Sequence, residues 1–312
     1  MSNNGNFTIS LDFELYWGMR DVVTIENYSE NIRNVHVVIP KILHLFQEYE
    51  IHATWAIVGF LYAKDKVELL SIFPKELPQY TIERYNPYDY IDSNPLEKEF
   101  HFAPECIKLI KQTPYQEIAT HTLSHYYALE QGQTAEQFKS DLDSAIKVQE
   151  NEIRSIVFPR NQYDSKSLEI AGSAGLRFYR GNPGFSLYKS RMFKEENNLI
   201  RIFRFMDAYI NLSGQNTFIV DKNVPGMVNV PASKFLRPYS KRLSFLEELK
   251  FRRIKNAMVY AAKKKENYHL WWHPHNFGKD TEKNLVFLEK ILIEFRWLKN
   301  QYGFESKSIG EY

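Results

Sequence analysis

A single cysteine, Cys106, occurs in 312 residues, which excludes an intramolecular disulfide framework and any zinc site built from several thiolates. Cys106 itself reads as a small buried hydrophobe. A dominant charge is also lacking. With 40 Lys and Arg against 38 Asp and Glu, the formal net charge is +2, so no global field points to nucleic acid as a partner. No apolar run is long enough to span a bilayer. The polar residues 1–6 lead straight into a strand-like segment and leave no room for a secretion signal, so a cytoplasmic protein is expected. There are no repeats, low-complexity tracts or linkers. What is abundant is apolar: 44% hydrophobic and 15% aromatic residues suffice for a large core, and α/β barrels of this length are commonly one domain. Residues 1–312 are read as one domain.

The periodicity supports that class. Residues 7–15 alternate strictly, with Thr8, Ser10, Asp12 and Glu14 on one face and Ile9, Leu11, Phe13 and Leu15 on the other, so both carboxylates point the same way. Residues 31–49 have helical spacing, with a kink or division expected at Pro40. Residues 53–59 form a short buried strand closed by Gly59, which completes a parallel βαβ unit. Further strands are expected at 116–120, 155–158, 178–181, 200–205, 228–231 and 268–272. Helices are expected at 134–151, with Thr134 and Gln137 in capping-box register, and at 166–174, 243–265 and 281–302. Residues 62–104 break the pattern with interleaved prolines and tyrosines, an irregular insertion that reads either as a sugar-ring platform or as a plain surface excursion. The 243–265 helix carries Lys250, Arg252, Arg253, Lys255, Lys263, Lys264 and Lys265, a solvated face or else a peripheral contact with an anionic membrane.

Each polar cluster falls at the C-terminal end of a strand, the end that carries the active site in α/β barrels. The organising stretch is Glu117-Ile-Ala-Thr-His-Thr-Leu-Ser-His125, because His121 and His125, four apart, would share one face if helical and could bind one cation. Chance alone supplies roughly one such pair in every four chains of this composition, and His269 and His273 show the same spacing. The first pair gains weight from its company: the acidic pair Asp12-Phe-Glu14, the arginine of Phe158-Pro-Arg-Asn-Gln162, and the cluster Trp272-His-Pro-His-Asn276. A carboxylate and two histidines with positions left open to water make a catalytic zinc site. Amide hydrolysis also needs a base, an oxyanion donor and an acid, and either member of Asp12/Glu14 can ligate while the other acts as base.

In these motifs and their order the chain resembles the polysaccharide deacetylases of the NodB-homology type (carbohydrate esterase family 4). The resemblance implies a distorted (β/α)7 barrel, a divalent metal (Zn2+, with Co2+ or Ni2+ as substitutes) and an N-acylated amino sugar as substrate, free, nucleotide-linked or lipid-linked. It also implies Asp12 as base and Glu14, His121 and His125 as metal ligands. Arg160 is the arginine that pairs with the base, and the acid is His273, with His275 as its rival. Trp272, His275 and Tyr126 are candidates for sugar contacts, His275 towards the rim, with Trp271 or Trp272 orienting the imidazole. Three departures stand out: Glu14 replaces the usual aspartate, Pro-Arg-Asn replaces Arg-x-Pro, and the tail has two histidines. The function expected is removal of an acetyl or formyl group from an amino sugar during surface-glycan assembly. The alternatives are hydrolysis of another C–N bond, in a ureide or cyclic amide, and a glycan-binding barrel without turnover.

Overall fold

The structure is a computed structural model that describes residues 4–150, 153–195 and 197–312. Its centre is β1 (Asn6–Phe13), buried along its whole length. Phe7, Ile9, Leu11 and Phe13 join the main apolar core. Thr8, Ser10 and Asp12 face the other way, into a polar interior where Ser10 Oγ meets His269 and Arg180. β1 pairs in parallel with β2 (Ala53–Ile57), placing Asp12 opposite Ala56, and with β8 (Tyr268–Trp272), placing Leu11 opposite Trp272. β3 (Gln116–Thr120), β4 (Ser155–Ile156), β5 (Phe178–Tyr179) and β6 (Val228–Asn229) continue outward from β2, and β7 (Lys234–Phe235) lies outside β8. β6 and β7 belong to one short segment. Val230 N donates to Tyr179 O (2.9 Å) and Ser233 N to His269 O (2.8 Å), so this segment spans from β5 to β8 and the all-parallel sheet curls back on itself. With that segment counted as one stave, the expected distorted (β/α)7 barrel results. The short β9 (Glu305–Ser306) adds to the start of β1.

The helices are α1 (Ile25–Arg33), α2 (Val35–Glu48), α3 (Lys66–Ser71), α4 (Pro87–Ser93), α5 (Lys98–His101), α6 (Pro104–Gln112), α7 (Ala135–Val148), α8 (Ser165–Ser173), α9 (Asn198–Asp207), α10 (Glu247–Lys264) and α11 (Thr281–Tyr302). The capping box of Thr134 and Gln137 starts α7 as read from the sequence. That helix ends at Val148, and residue 151 of the expected helix lies outside the described residues.

Several expectations need correction. The division near Pro40 falls at Asn34 instead, and α2 runs through Pro40, which stands on the exposed face, where water can serve the carbonyl that loses its donor. Residues 200–205 are not a strand: they lie in α9, whose N-cap Asn197 accepts from Ile200 N. The 62–104 stretch contains three of the short helices. Its tyrosines are neither a platform nor a loose excursion, because Tyr80 and Tyr85 are buried against Tyr127. The basic residues of α10 do not form one solvated face. Lys250 and Arg253 are buried, and Arg252 and Lys255 pair with Glu248 and Glu294.

Candidate active site

Asp12 is the last but one residue of β1, and Glu14 follows just beyond the strand, before Leu15 turns the chain with a φ of 45°. Gly18 closes that turn over Glu14. A Cβ there would lie 2.1 Å from the Glu14 carboxyl carbon, so only glycine lets the backbone approach this closely. His121 follows β3 directly. The segment across His121 and His125 is not helical; a turn with Thr122 and His125 at φ 64° and 59° brings the rings together instead, 5.1 Å apart. Asp141 of α7 secures the turn by accepting from Leu123 N at 2.8 Å and Ser124 N at 3.2 Å. Burial pushes its carboxyl up to about 6.

Glu14 Oε2 lies 3.1 Å from His125 Nε2 and 3.6 Å from His121 Nε2. Burial alone would raise the Glu14 carboxyl, but His273 and His125 outweigh it and hold the group well below the usual range. His121 Nδ1 donates to Val157 O at 2.7 Å, which leaves the Nε2 lone pair facing Glu14. His125 Nδ1 is buried without a hydrogen-bond partner. Donor atoms of Glu14, His121 and His125 all lie within 4.8 Å of one another. Two neutral imidazoles and a carboxylate are the donor chemistry of a catalytic divalent-metal site, so the residues fit such an ion. The other pair, His269 and His273, cannot share a cation. Four residues along a strand span about 13 Å, and His269 is buried in the barrel against Ser10 at 2.8 Å.

Arg180, fully buried just after β5, donates to Asp12 through both terminal nitrogens, at 2.6 and 2.7 Å. It also donates to Ser10 Oγ (3.0 Å) and Asn161 Oδ1 (3.0 Å), and stacks on Trp271 at 4.2 Å. Burial raises the Asp12 carboxyl, while Arg180 and His121 pull it lower, and the net shift is downward. The arginine beside Asp12 is therefore Arg180 and not Arg160, which pairs with Asp21 and lies 4.0 Å over the Tyr127 ring. Arg160 and Asn161 both adopt left-handed backbone, which sends Asn161 towards Arg180 and Arg160 away from Asp12. The strand-end rule that singles out Asp12 also marks Arg180, the first residue after β5.

His273 follows β8. Its Nδ1 donates to Asn276 Oδ1 at 3.2 Å, which fixes the ring. Its Nε2 faces Asp12 Oδ2 at 3.8 Å and Glu14 Oε1 at 3.7 Å. His275 is not at the rim. It is buried behind His273 and stacked on it at 4.9 Å, and burial pushes it down to about 3, leaving it neutral. Neither Trp272 nor Tyr126 reaches the cavity: Trp272 packs on Phe46 and Phe277, and Tyr126 on Phe138. Strand alternation places Trp271 on the same face as His273, and Trp271 with Phe235, at 4.8 Å between rings, forms the aromatic wall. Asp12, Glu14, His121, His125, His273 and Trp271 all line one cavity of about 400 Å3, and Arg160 lines it too.

The family model of the polysaccharide deacetylases matches residues 24–179, half of the chain, and the protein belongs to that family. The matched stretch holds His121 and His125; Asp12, Glu14, Arg180 and His273 lie outside it. A protein of Mycobacterium smegmatis described as a polysaccharide deacetylase superposes with a TM-score of 0.58 at 12% identity, covering 100% of this chain and 90% of its own. A Pseudomonas aeruginosa protein described likewise gives 0.54 at 10% identity, covering 95% of this chain and 86% of its own. The fold is also similar to that of a GH57-type branching enzyme from Pyrococcus horikoshii, at a TM-score of 0.51 and 12% identity, over 98% of this chain and 70% of that one. No curated protein matches the chain.

Proposed function

We propose that the protein is a divalent-metal-dependent hydrolase that removes an N-acyl group, acetyl or formyl, from an amino sugar in glycan assembly. The observation that carries this reading is Asp12, clamped by Arg180 beside the Glu14–His121–His125 cluster, with His273 facing both carboxylates in one cavity. Glu14, His121 and His125 would hold the ion, Zn2+ by their donor chemistry, with Co2+ or Ni2+ as substitutes. The chemistry such an ion supplies is polarisation of the acyl carbonyl and acidification of the attacking water. Asp12, kept ionised and oriented by Arg180, takes the proton of that water as its oxygen bonds to the acyl carbon. His273 gives its Nε2 proton to the amide nitrogen as the C–N bond breaks, releasing a carboxylic acid and a free amine. Asn276 on Nδ1 keeps Nε2 aimed inward, and the Trp271–Phe235 wall gives the sugar ring an apolar face to lie against.

Two results test this assignment. Elemental analysis should find about one divalent ion per chain, lost in His121→Ala and in His125→Ala; a full metal load in those variants would put the site elsewhere. His273→Ala should damage hydrolysis of a poor leaving amine far more than that of an activated ester, which needs little protonation. Equal, small effects on both substrates would remove His273 from the acid role.

A further inference from the structure

Asp12, Glu14, His121, His125 and His273 form one part of the cavity wall. The remaining wall is cationic: Arg160, Lys189, Arg191, Arg204, Lys234 and Arg237 line the cavity, and its carboxylates are Asp12 and Glu14. Several of these charges are answered within the protein. Arg180 holds Asp12, Asp21 pairs with Arg160, and Asp207 pairs with Lys234. Arg237 differs. Among the described residues it makes no ion pair; its guanidinium rests over the Phe205 ring at 4.9 Å, and burial pulls its pKa down, with Tyr209 and Tyr188 opposing that only in part. Arg191 also lines the cavity without an ion pair among the described residues: Nε donates to the Lys189 carbonyl and one terminal nitrogen to that of Ser186, both at 3.2 Å, which leaves the other terminal nitrogen for a ligand. A half-buried cation without a counter-ion is costly to the fold. Arg237 lies two residues beyond β7, at the strand end where α/β barrels bind ligands.

Resting on the deacylase reading, we propose that Arg237, with Arg191, forms an anion subsite for a phosphate carried by the amino sugar, so that the substrate is a glycosyl phosphate and not a neutral glycan. Phosphate fits better than carboxylate because a sugar 1-phosphate carries about two negative charges at neutral pH and three acceptor oxygens, while a sugar diphosphate ester carries about one charge on each of its two phosphates; either can engage both guanidinium groups. A cavity of about 400 Å3 lies within the range of small-molecule sites, roughly 300–1,000 Å3.

Calorimetry on the Asp12→Asn protein, which should turn over too slowly to interfere, tests this with N-acetylglucosamine, its 1-phosphate and inorganic pyrophosphate, the last needing no particular sugar. The 1-phosphate should bind at least about tenfold more tightly than the neutral sugar, as one charge-assisted contact predicts. Its affinity should fall with salt, and Arg237→Gln should abolish the preference and weaken pyrophosphate, while Arg237→Lys restores part. Uridine diphosphate N-acetylglucosamine and polyprenyl-phosphate N-acetylglucosamine then identify the carrier by which of them binds more tightly. Pyrophosphate binding that is absent or unchanged in Arg237→Gln overturns the subsite. If Arg237 governs phosphate binding but no sugar loses its acyl group, the deacylase reading fails and the subsite stands; acyl release that is indifferent to phosphate and to Arg237 does the reverse.

Discussion

Asp12→Asn is expected to leave a folded protein that has lost about 10²–10⁴-fold in turnover, the usual contribution of a positioned general base. Asparagine keeps the shape of the side chain and an acceptor for Arg180, which retains Ser10, Asn161 and Trp271 as neighbours. What disappears is the group that can take the water proton. Glu14 cannot replace it easily, since both histidines of the cluster already lie against that carboxylate. Circular dichroism and metal content matching wild type would establish that the loss is chemical. A loss of only a few-fold would move the base role to Glu14 or to another group.

Arg180→Leu is expected to destabilise the fold by about 3–5 kcal/mol, because it strands a buried carboxylate without its cation. Both partners are essentially inaccessible to solvent, so surface screening does not weaken the pair as it does exposed ones. The coupling is diagnostic. Asp12→Asn should cost stability in wild type, where it strands Arg180, yet gain stability in the Arg180→Leu background, where it removes the stranded charge. Urea unfolding of the four proteins measures this, and additive effects would mean that the pair is not the unit the geometry indicates.

Legibility in the sequence followed the strength of the local signal. β3, β8 and α11 were readable to the residue, and α7 through its capping box, because each is long enough for its periodicity or cap to speak. β4 to β7 are two residues each; tertiary pairing defines strands that short, and no local pattern does. The stretch Ile200-Arg-Ile-Phe-Arg-Phe205 is rich in β-branched and aromatic residues and so reads as a strand, yet the Asn197 cap and an apolar stripe at helical spacing make it α9. In the site, Asp12, Glu14, His121, His125 and His273 come together as the sequence suggested. The misses share a cause, the direction of side chains. Arg160 points away on a left-handed turn, and Trp272 faces the core because Trp271 and His273 take the inner face of β8. His275 is carried behind His273 by the turn that Pro274 begins.

The most direct test is acyl release by the zinc-loaded protein from a panel of N-acetyl and N-formyl amino sugars, with free amine and carboxylic acid followed together by mass spectrometry. The account predicts one acid and one amine per sugar consumed, with activity abolished by chelation and in His121→Ala. Binding of the sugars without release of any acid would contradict it and leave a glycan-binding barrel, and opening of a ureide or cyclic amide in place of acyl release would assign the site to another C–N bond.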